Sequence, residues 1–191
     1  MEFAVVGWPE SGPTLDLDYR RFAYAGKFVM STTGKAVARA GEAVVGAVAF
    51  DADRVDPEVL RLRYVTVRAD RRGEAIGPQL CAFVVRRARE RGFERARIAV
   101  NNPFAFEALY KAGFGYTGES TGLAELVLER PSARDPAAYR EGMAAYADRD
   151  LDDPAASFAA DRAGGDPPPL LDDLDGGTTG DADGTDGTKE Q

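Results

Sequence analysis

Histidine is missing from this 191-residue chain altogether, and that absence removes more chemistry than any residue present adds. A Ser-His-Asp triad cannot form, nor can a His-ligated zinc site. Cysteine occurs once, as Cys81, so an intramolecular disulfide and a four-cysteine metal site are excluded as well. The neighbours of Cys81 are Leu80, Ala82, Phe83, Val84 and Val85, a setting for a buried helix thiol rather than a nucleophile. No apolar run reaches the ~18 residues that would suggest a membrane span. Glu2 follows Met1, and no basic segment leads into an apolar one, so no signal peptide is expected. These absences predict a soluble, cytoplasmic protein with no membrane partner and no metal.

Charge is unevenly spread. Residues 1–130 hold 17 acidic and 19 basic side chains, whereas residues 131–191 hold 15 acidic and 5 basic. The acidity of the chain therefore belongs to its end. From Ala163 the sequence passes through Pro167-Pro168-Pro169 into Asp-, Gly- and Thr-rich residues. Such a stretch cannot bury enough apolar surface to offset its ordering entropy and is expected to be disordered. Leu170, Leu171 and Leu174 interrupt it, either as a short docking motif or as part of a solvated tail. Before it, Ala138, Tyr139, Met143 and Tyr146 recur at helical spacing. The expected organisation is a domain over 1–131, a helical extension over 132–162 and an acidic tail over 163–191.

Within the body, Phe3 to Val6 reads as a short strand. Asp18 to Met30 is ambiguous: Tyr19, Phe22, Tyr24 and Phe28 could line a helix, but Gly26 interrupts it. Lys35 to Arg39 and Glu42 to Asp51 form a hairpin across Ala40-Gly41. Leu60 to Val67 alternates, with Leu62, Tyr64 and Thr66 on one face. A helix follows over Leu80 to Arg91. Arg86, Arg87, Arg89 and Arg91 lie toward its end, where positive charge complements the dipole, so no nucleic-acid partner is expected. Arg95 to Val100 alternates again. A second helix begins after Asn101-Asn102-Pro103 and stops at Gly113, with late strands near Tyr116 to Glu119 and Leu123 to Glu129. Strands, helix, strand, helix and strands in this order suit a mixed, mostly antiparallel central sheet flanked by helices, an α/β (α+β) class.

The densest chemical signal lies between the Leu60–Val67 strand and its following helix, in Val67-Arg68-Ala69-Asp70-Arg71-Arg72-Gly73-Glu74-Ala75-Ile76-Gly77. A strand that breaks into an Arg/Gly loop and opens a helix can hold a phosphate. First-turn amides have no intrahelical acceptor, and the dipole adds partial positive charge. Gly77 is followed by Pro78-Gln79, so the P-loop spacing is absent, as is the G-x-G-x-x-G of dinucleotide folds. What remains, R-G-x-A-x-G, resembles the acetyl-CoA loop of the GNAT N-acetyltransferases, written Q/R-x-x-G-x-G/A. Arg72, Gly73, Ala75 and Gly77 fall on family positions, and Ala75 departs from them by standing where the family has Gly. A methyl there either crowds a pyrophosphate or is tolerated if the backbone keeps negative φ. Downstream, Asn102, Ala105, Gly113 and Phe114 resemble the second GNAT motif, a helix beside the coenzyme. The resemblance covers roughly residues 41–131.

It implies the acyl-CoA N-acyltransferase (GNAT) fold and an N-acetyltransferase that uses acetyl-CoA as co-substrate, with direct transfer to an amine of a small molecule or a protein. It implies coenzyme contacts from Val65, Val67, Arg71, Arg72, Gly73, Glu74, Ala75, Ile76, Gly77 and Asn102. The family often has Tyr four residues before the Gly at position 113; here that position is Leu109. Tyr110 is one residue later, about 100° around the helix. Either Tyr110 protonates the leaving thiolate or water does. Glu58, Glu119 and Glu125 are the candidate bases. Arg61 and Arg63 share a strand face, as attractors of an acidic substrate or as plain exposed arginines. An exposed late strand leaves a homodimer open. The competing expectation is an acyl-CoA-binding module without catalysis, motivated by Ala75 and Leu109.

Overall fold

A computed structural model describes residues 1–122 and 124–171, and those residues hold seven strands and four α-helices. The strands are β1 (Glu2–Gly7), β2 (Gly34–Ala40), β3 (Ala43–Ala52), β4 (Val59–Val67), β5 (Arg95–Val100), β6 (Gly115–Ser120) and β7 (Leu126–Arg130). The helices are α1 (Ile76–Arg89), α2 (Pro103–Lys111), α3 (Pro136–Ala147) and α4 (Asp153–Arg162). One sheet holds all seven strands in the order β1-β2-β3-β4-β5-β7-β6. Only β4 and β5 run parallel, and α1 makes the crossover that a parallel pair requires.

The two faces of the sheet are covered differently. On one, α1 buries Leu80, Cys81, Val84, Val85 and Ala88 against Val48, Phe50, Leu60 and Leu62, in a core that continues through α2 and α3. Burial raises the Cys81 thiol to about 12, as befits an unreactive core residue. On the other, Leu17, Phe22, Ala25 and Phe28 cover Val37, Ala47 and Ala49. This second cover resolves the ambiguity of residues 18–30 against a helix. The segment is a run of turns with one short 3₁₀ turn at Ala25–Lys27, entered through Tyr24 at φ 59°. Phe22, Ala25 and Phe28 are spent on the sheet face, Tyr19, Val29 and Met30 stay exposed, and Gly26 offers no side chain to a helix.

Strand β4 also departs from simple alternation. Phe50 is opposite Leu62 and Ala49 is opposite Tyr64, which leaves Arg63 as the extra residue of a bulge. Leu62 therefore shares its core with Val65 and Val67, while Tyr64 packs on the second core. Leu62, Tyr64 and Thr66 do not line one face.

The C-terminal helices are docked. Asp135 caps α3 through the Ala137 amide at 2.9 Å, and Asp152 caps α4 through the Ala155 amide at 3.2 Å. Phe106 of α2 is fully buried among the rings of Tyr110, Tyr139 and Tyr146, with centroids 5.0, 6.0 and 5.6 Å away. Glu107 of α2 pairs with Arg162 of α4 and, at 2.8 Å, with Lys111. Past α4 the chain stays held: Arg140 donates to the Gly165 carbonyl at 2.9 Å, and the Leu171 amide to the Lys111 carbonyl at 3.0 Å. Loss of contacts thus does not begin at Ala163; the Asp-rich stretch from residue 172, with Leu174, lies outside the described residues. Among those described, no helix is long and apolar enough to cross a membrane, and no cluster of acidic and cysteine side chains is arranged for a metal ion.

Gly142 of α3 lets that helix reach Phe106, since a Cβ there would stand 2.3 Å from the ring. Gly142→Ala is expected to destabilise the fold by about 1–3 kcal/mol, because the surrounding rings leave Phe106 nowhere to move. Thermal denaturation of the two proteins measures this, and an unchanged or higher midpoint would contradict the packing described.

Candidate active site

Strands β4 and β5 begin as a pair and then part. Their pairing runs from Val59 opposite Arg95 to Leu62 opposite Ile98 and stops there, although β4 continues to Val67 and β5 to Val100. The bulge at Arg63 sits at the point of parting. Beyond it, backbone groups on the facing edges have no strand partner and must find water or a ligand. In the same stretch the Thr66 hydroxyl is buried without a hydrogen-bond partner among the described residues.

The end of β4 leads into the loop. A short 3₁₀ turn at Ala69–Arg71 precedes Gly73 at φ 87° and Ala75 at φ 57°, and α1 starts at Ile76. No side chain caps α1 and no acidic residue occupies its first turn. Its leading amides are thus left for an external acceptor at the positive end of the dipole. Gly77 lies against β4: a Cβ there would meet Val67 at 3.5 Å and Val65 at 3.9 Å. These observations fit a pyrophosphate at the helix start and an extended arm entering between the strands.

Charge around the loop is mostly pre-paired. Arg71 holds Glu74 through two contacts of 2.6 and 2.7 Å, and Arg68 holds Asp70 at 2.7 and 3.1 Å. Arg72 is exposed and carries no ion pair among the described residues, so it is the cation of the loop available to a ligand. Ala75 does not keep negative φ. It occupies the left-handed region, which disfavours a Cβ by roughly 1–2 kcal/mol and is the physical reason glycine suits the position.

On the β5 side, Asn102 caps α2 by accepting from the Ala105 amide at 2.8 Å, so its carbonyl oxygen is committed to the helix. Tyr110 is fully buried, and its hydroxyl accepts from the Tyr116 amide at 2.9 Å. Burial pushes its pKa up. The structure thus brings Val65, Val67 and residues 71–77 together but gives Tyr110 a place inside the core, tying α2 to β6. Tyr146 of α3, which sequence reasoning treated only as a helical apolar residue, donates to the Val100 carbonyl at 2.7 Å and so fixes the end of β5.

Where the strands part, the sheet face away from α1 opens into a cavity of about 370 Å³ walled by Arg61, Arg63, Tyr64 and Ala99, with Glu119 and Glu125 at its rim. The Thr121 hydroxyl donates to Glu125 at 3.2 Å. Glu58 does not reach it; it sits at the far end of β4, where its carbonyl accepts from the amides of Glu94 and Arg95. Clean alternation over Arg61 to Tyr64 gave no sign that Tyr64 would wall this cavity, because the bulge depends on register with β3.

Ala75→Gly relieves the left-handed strain and is expected to stabilise the fold by about 1 kcal/mol, part of the gain being offset by glycine's greater unfolded-state freedom. For a chain of this size that is a rise of roughly 2–4 °C in Tm. A lower Tm would show that the methyl makes contacts worth more than the strain.

Comparison with known proteins agrees with this arrangement. A family profile described as Acetyltransferase (GNAT) family matches residues 1–116. Among solved structures, a Bacillus subtilis acetyltransferase in complex with CoA superposes with a TM-score of 0.53 at 16% identity, covering 67% of this chain and 96% of its own. The PaiA N-acetyltransferase of Thermoplasma acidophilum, in complex with coenzyme A, gives 0.44 at 20% identity over 50% of this chain. This chain spans 58% of the length of that protein. No curated protein matches the sequence. The profile covers more than half the chain, and the sheet order, the parted parallel strands and the Arg-Gly loop opening α1 are all in place: the protein belongs to the GNAT family of acetyltransferases.

Proposed function

We propose that this protein transfers an acetyl group from acetyl-CoA directly to an amine. The observation that carries the proposal is the continuity of two features: an uncapped helix N-terminus after the 71–77 loop, and unpaired strand edges beyond Leu62 and Ile98. The first suits the pyrophosphate of the coenzyme and the second its amide-bearing arm. The CoA bound to the Bacillus subtilis structure adds support for the same ligand class here.

In the reaction, the amine first loses a proton, and its nitrogen lone pair then attacks the thioester carbonyl. The new C–N bond forms, the C–S bond breaks, and the thiolate takes up a proton as CoA leaves. Glu119 and Glu125, at the cavity rim, are the bases for the ammonium proton, acting directly or through water. A backbone N–H of β4 in the unpaired stretch after Arg63 polarises the thioester carbonyl. Gly73 to Gly77 and Arg72 hold the pyrophosphate. Water, rather than Tyr110, protonates the thiolate, since the Tyr110 hydroxyl is enclosed and occupied by Tyr116.

A second reading, a binding module that holds acyl-CoA without transfer, is favoured by that same enclosure of Tyr110, which removes the tyrosine acid that the family resemblance suggested on α2. Native mass spectrometry with acetyl-CoA, followed by thiol release across a panel of amines, separates the two. Binding with release supports the transferase, and binding without release supports the module. Absence of binding rejects both.

Two substitutions sharpen the test. Gly77→Asp is expected to fold, because its Cβ would meet only ordinary contacts, and to raise the Kd for acetyl-CoA at least about tenfold, equivalent to ~1.4 kcal/mol. Unchanged affinity would place the pyrophosphate elsewhere. Tyr110→Phe is expected to keep kcat within about twofold while lowering stability by roughly 1–3 kcal/mol, through the stranded Tyr116 amide. A fall in kcat of about 10²-fold or more, with KM for acetyl-CoA unchanged, would restore Tyr110 as the general acid.

A further inference from the structure

The acceptor side of the site is polarised once its internal ion pairs are set aside. Besides the cavity beside Glu119 and Glu125, a second cavity of about 540 Å³ lies between β4, the end of β3 and the 27–33 segment. The two share Arg61, Arg63 and Tyr64 and so lie on either side of the same three β4 residues. Most of the charge lining the two cavities is already neutralised. Arg63 holds Asp51 through contacts of 2.7 and 3.1 Å, Arg61 holds Asp53, and Arg97 holds Glu129. The backbone amides of Val55 and Asp56, with Arg61, hold the Asp53 carboxyl down at about 2.

The charges that remain are separated. At one end stand Glu119 and Glu125, in no direct ion pair among the described residues, with the charge of Glu119 felt at Arg97, which is itself held by Glu129; at the other stand Lys27 and Arg54, likewise in no ion pair. Tyr64 divides them: the Lys27 ammonium lies 5.7 Å from its ring centroid, and the Tyr24 ring packs 5.9 Å away.

We infer that the acceptor is a small amine that also carries an anionic group, bound with its ammonium at Glu119 and Glu125 and its anion at Lys27 and Arg54, its carbon chain crossing Tyr64. This rests on the acetyltransferase function proposed above. A simple alkylamine would leave the cationic end unmatched. A diamine would set its second ammonium against two like charges, which opposes binding at either end. The amine's displaced proton goes to the acidic end, and the anionic group takes no part in the bond changes.

The test uses the full chain with saturating acetyl-CoA and three sets of acceptors matched in carbon count: ω-aminocarboxylates, alkylamines and α,ω-diamines. The expected result is a kcat/KM for the best aminocarboxylate about tenfold above the alkylamine and diamine of the same length, with a preference that shrinks as salt is raised. Lys27 and Arg54 are exposed, so the double charge reversal Lys27→Glu with Arg54→Glu is expected to fold. It should invert the ranking in favour of the diamine while acetyl-CoA still binds. An alkylamine or diamine preferred by the unaltered protein overturns the inference. So does a ranking that survives the charge reversal, or acetyl-CoA binding with none of the three classes turned over. Failure of the unaltered protein to bind acetyl-CoA overturns the function itself, and the acceptor inference with it.

Discussion

The separation of β4 from β5 is the constraint on which the rest of this molecule depends. A parallel pair that stays together is a closed sheet, and its backbone groups are satisfied. Here the pairing ends at Leu62 and Ile98, and the two strands continue as opposite walls of a gap. Each wall then needs its own support. Helix α1 holds β4, with Gly77 lying against Val65 and Val67. On the other side, β5 is held by β7 along its length and by the Tyr146 hydroxyl on the Val100 carbonyl at its end. The bulge at Arg63 belongs to the same constraint, since it sits where the pairing ends and turns Tyr64 toward the opposite face.

Electrostatics follows a consistent rule across the sheet surface. Nearly every arginine near the gap is matched by a local acid: Arg61 by Asp53, Arg63 by Asp51, Arg68 by Asp70, Arg71 by Glu74 and Arg97 by Glu129. Exposed pairs of this kind add little stability each. Their effect is to cancel the field locally, which leaves only a few charges outside an ion pair. Arg72 at the loop, Glu119 and Glu125 at one rim and Lys27 and Arg54 at the other are those charges.

Much of this was legible in the residues. Strands announced themselves by alternation, and α2 by Asn102, Pro103 and the Gly113 stop, because caps and periodicity are local properties. The 71–77 loop was legible for the same reason, as was the oddity of Ala75; its left-handed backbone was not, since φ is set by how the 3₁₀ turn delivers the chain to α1. The bulge at Arg63 was illegible because it arises from pairing with β3, a partner some 13 residues earlier in register. Residues 18–30 stayed ambiguous for a different reason: apolar side chains at near-helical spacing serve equally well as plugs on a sheet face. Of the three acids considered as bases, Glu119 and Glu125 stand beside the gap and Glu58 does not, a distinction only topology supplies. Tyr110 had the right residue type one position away from the expected place, and both it and Leu109 at that place are buried in the core.

The family profile ends at residue 116, yet the rings that close around Phe106 come from Tyr139 and Tyr146, beyond it. Modularity therefore stops short of what the profile outlines. A recombination event or a fusion partner joined directly after the sheet would inherit an α2 whose outer face is greasy, a Glu107 carboxylate without its Arg162 counter-ion, and a β5 terminus without the Tyr146 tether. The last two described helices are thus part of the inheritable unit, and lineages that shuffle this sheet must carry them along or rebuild an equivalent wall.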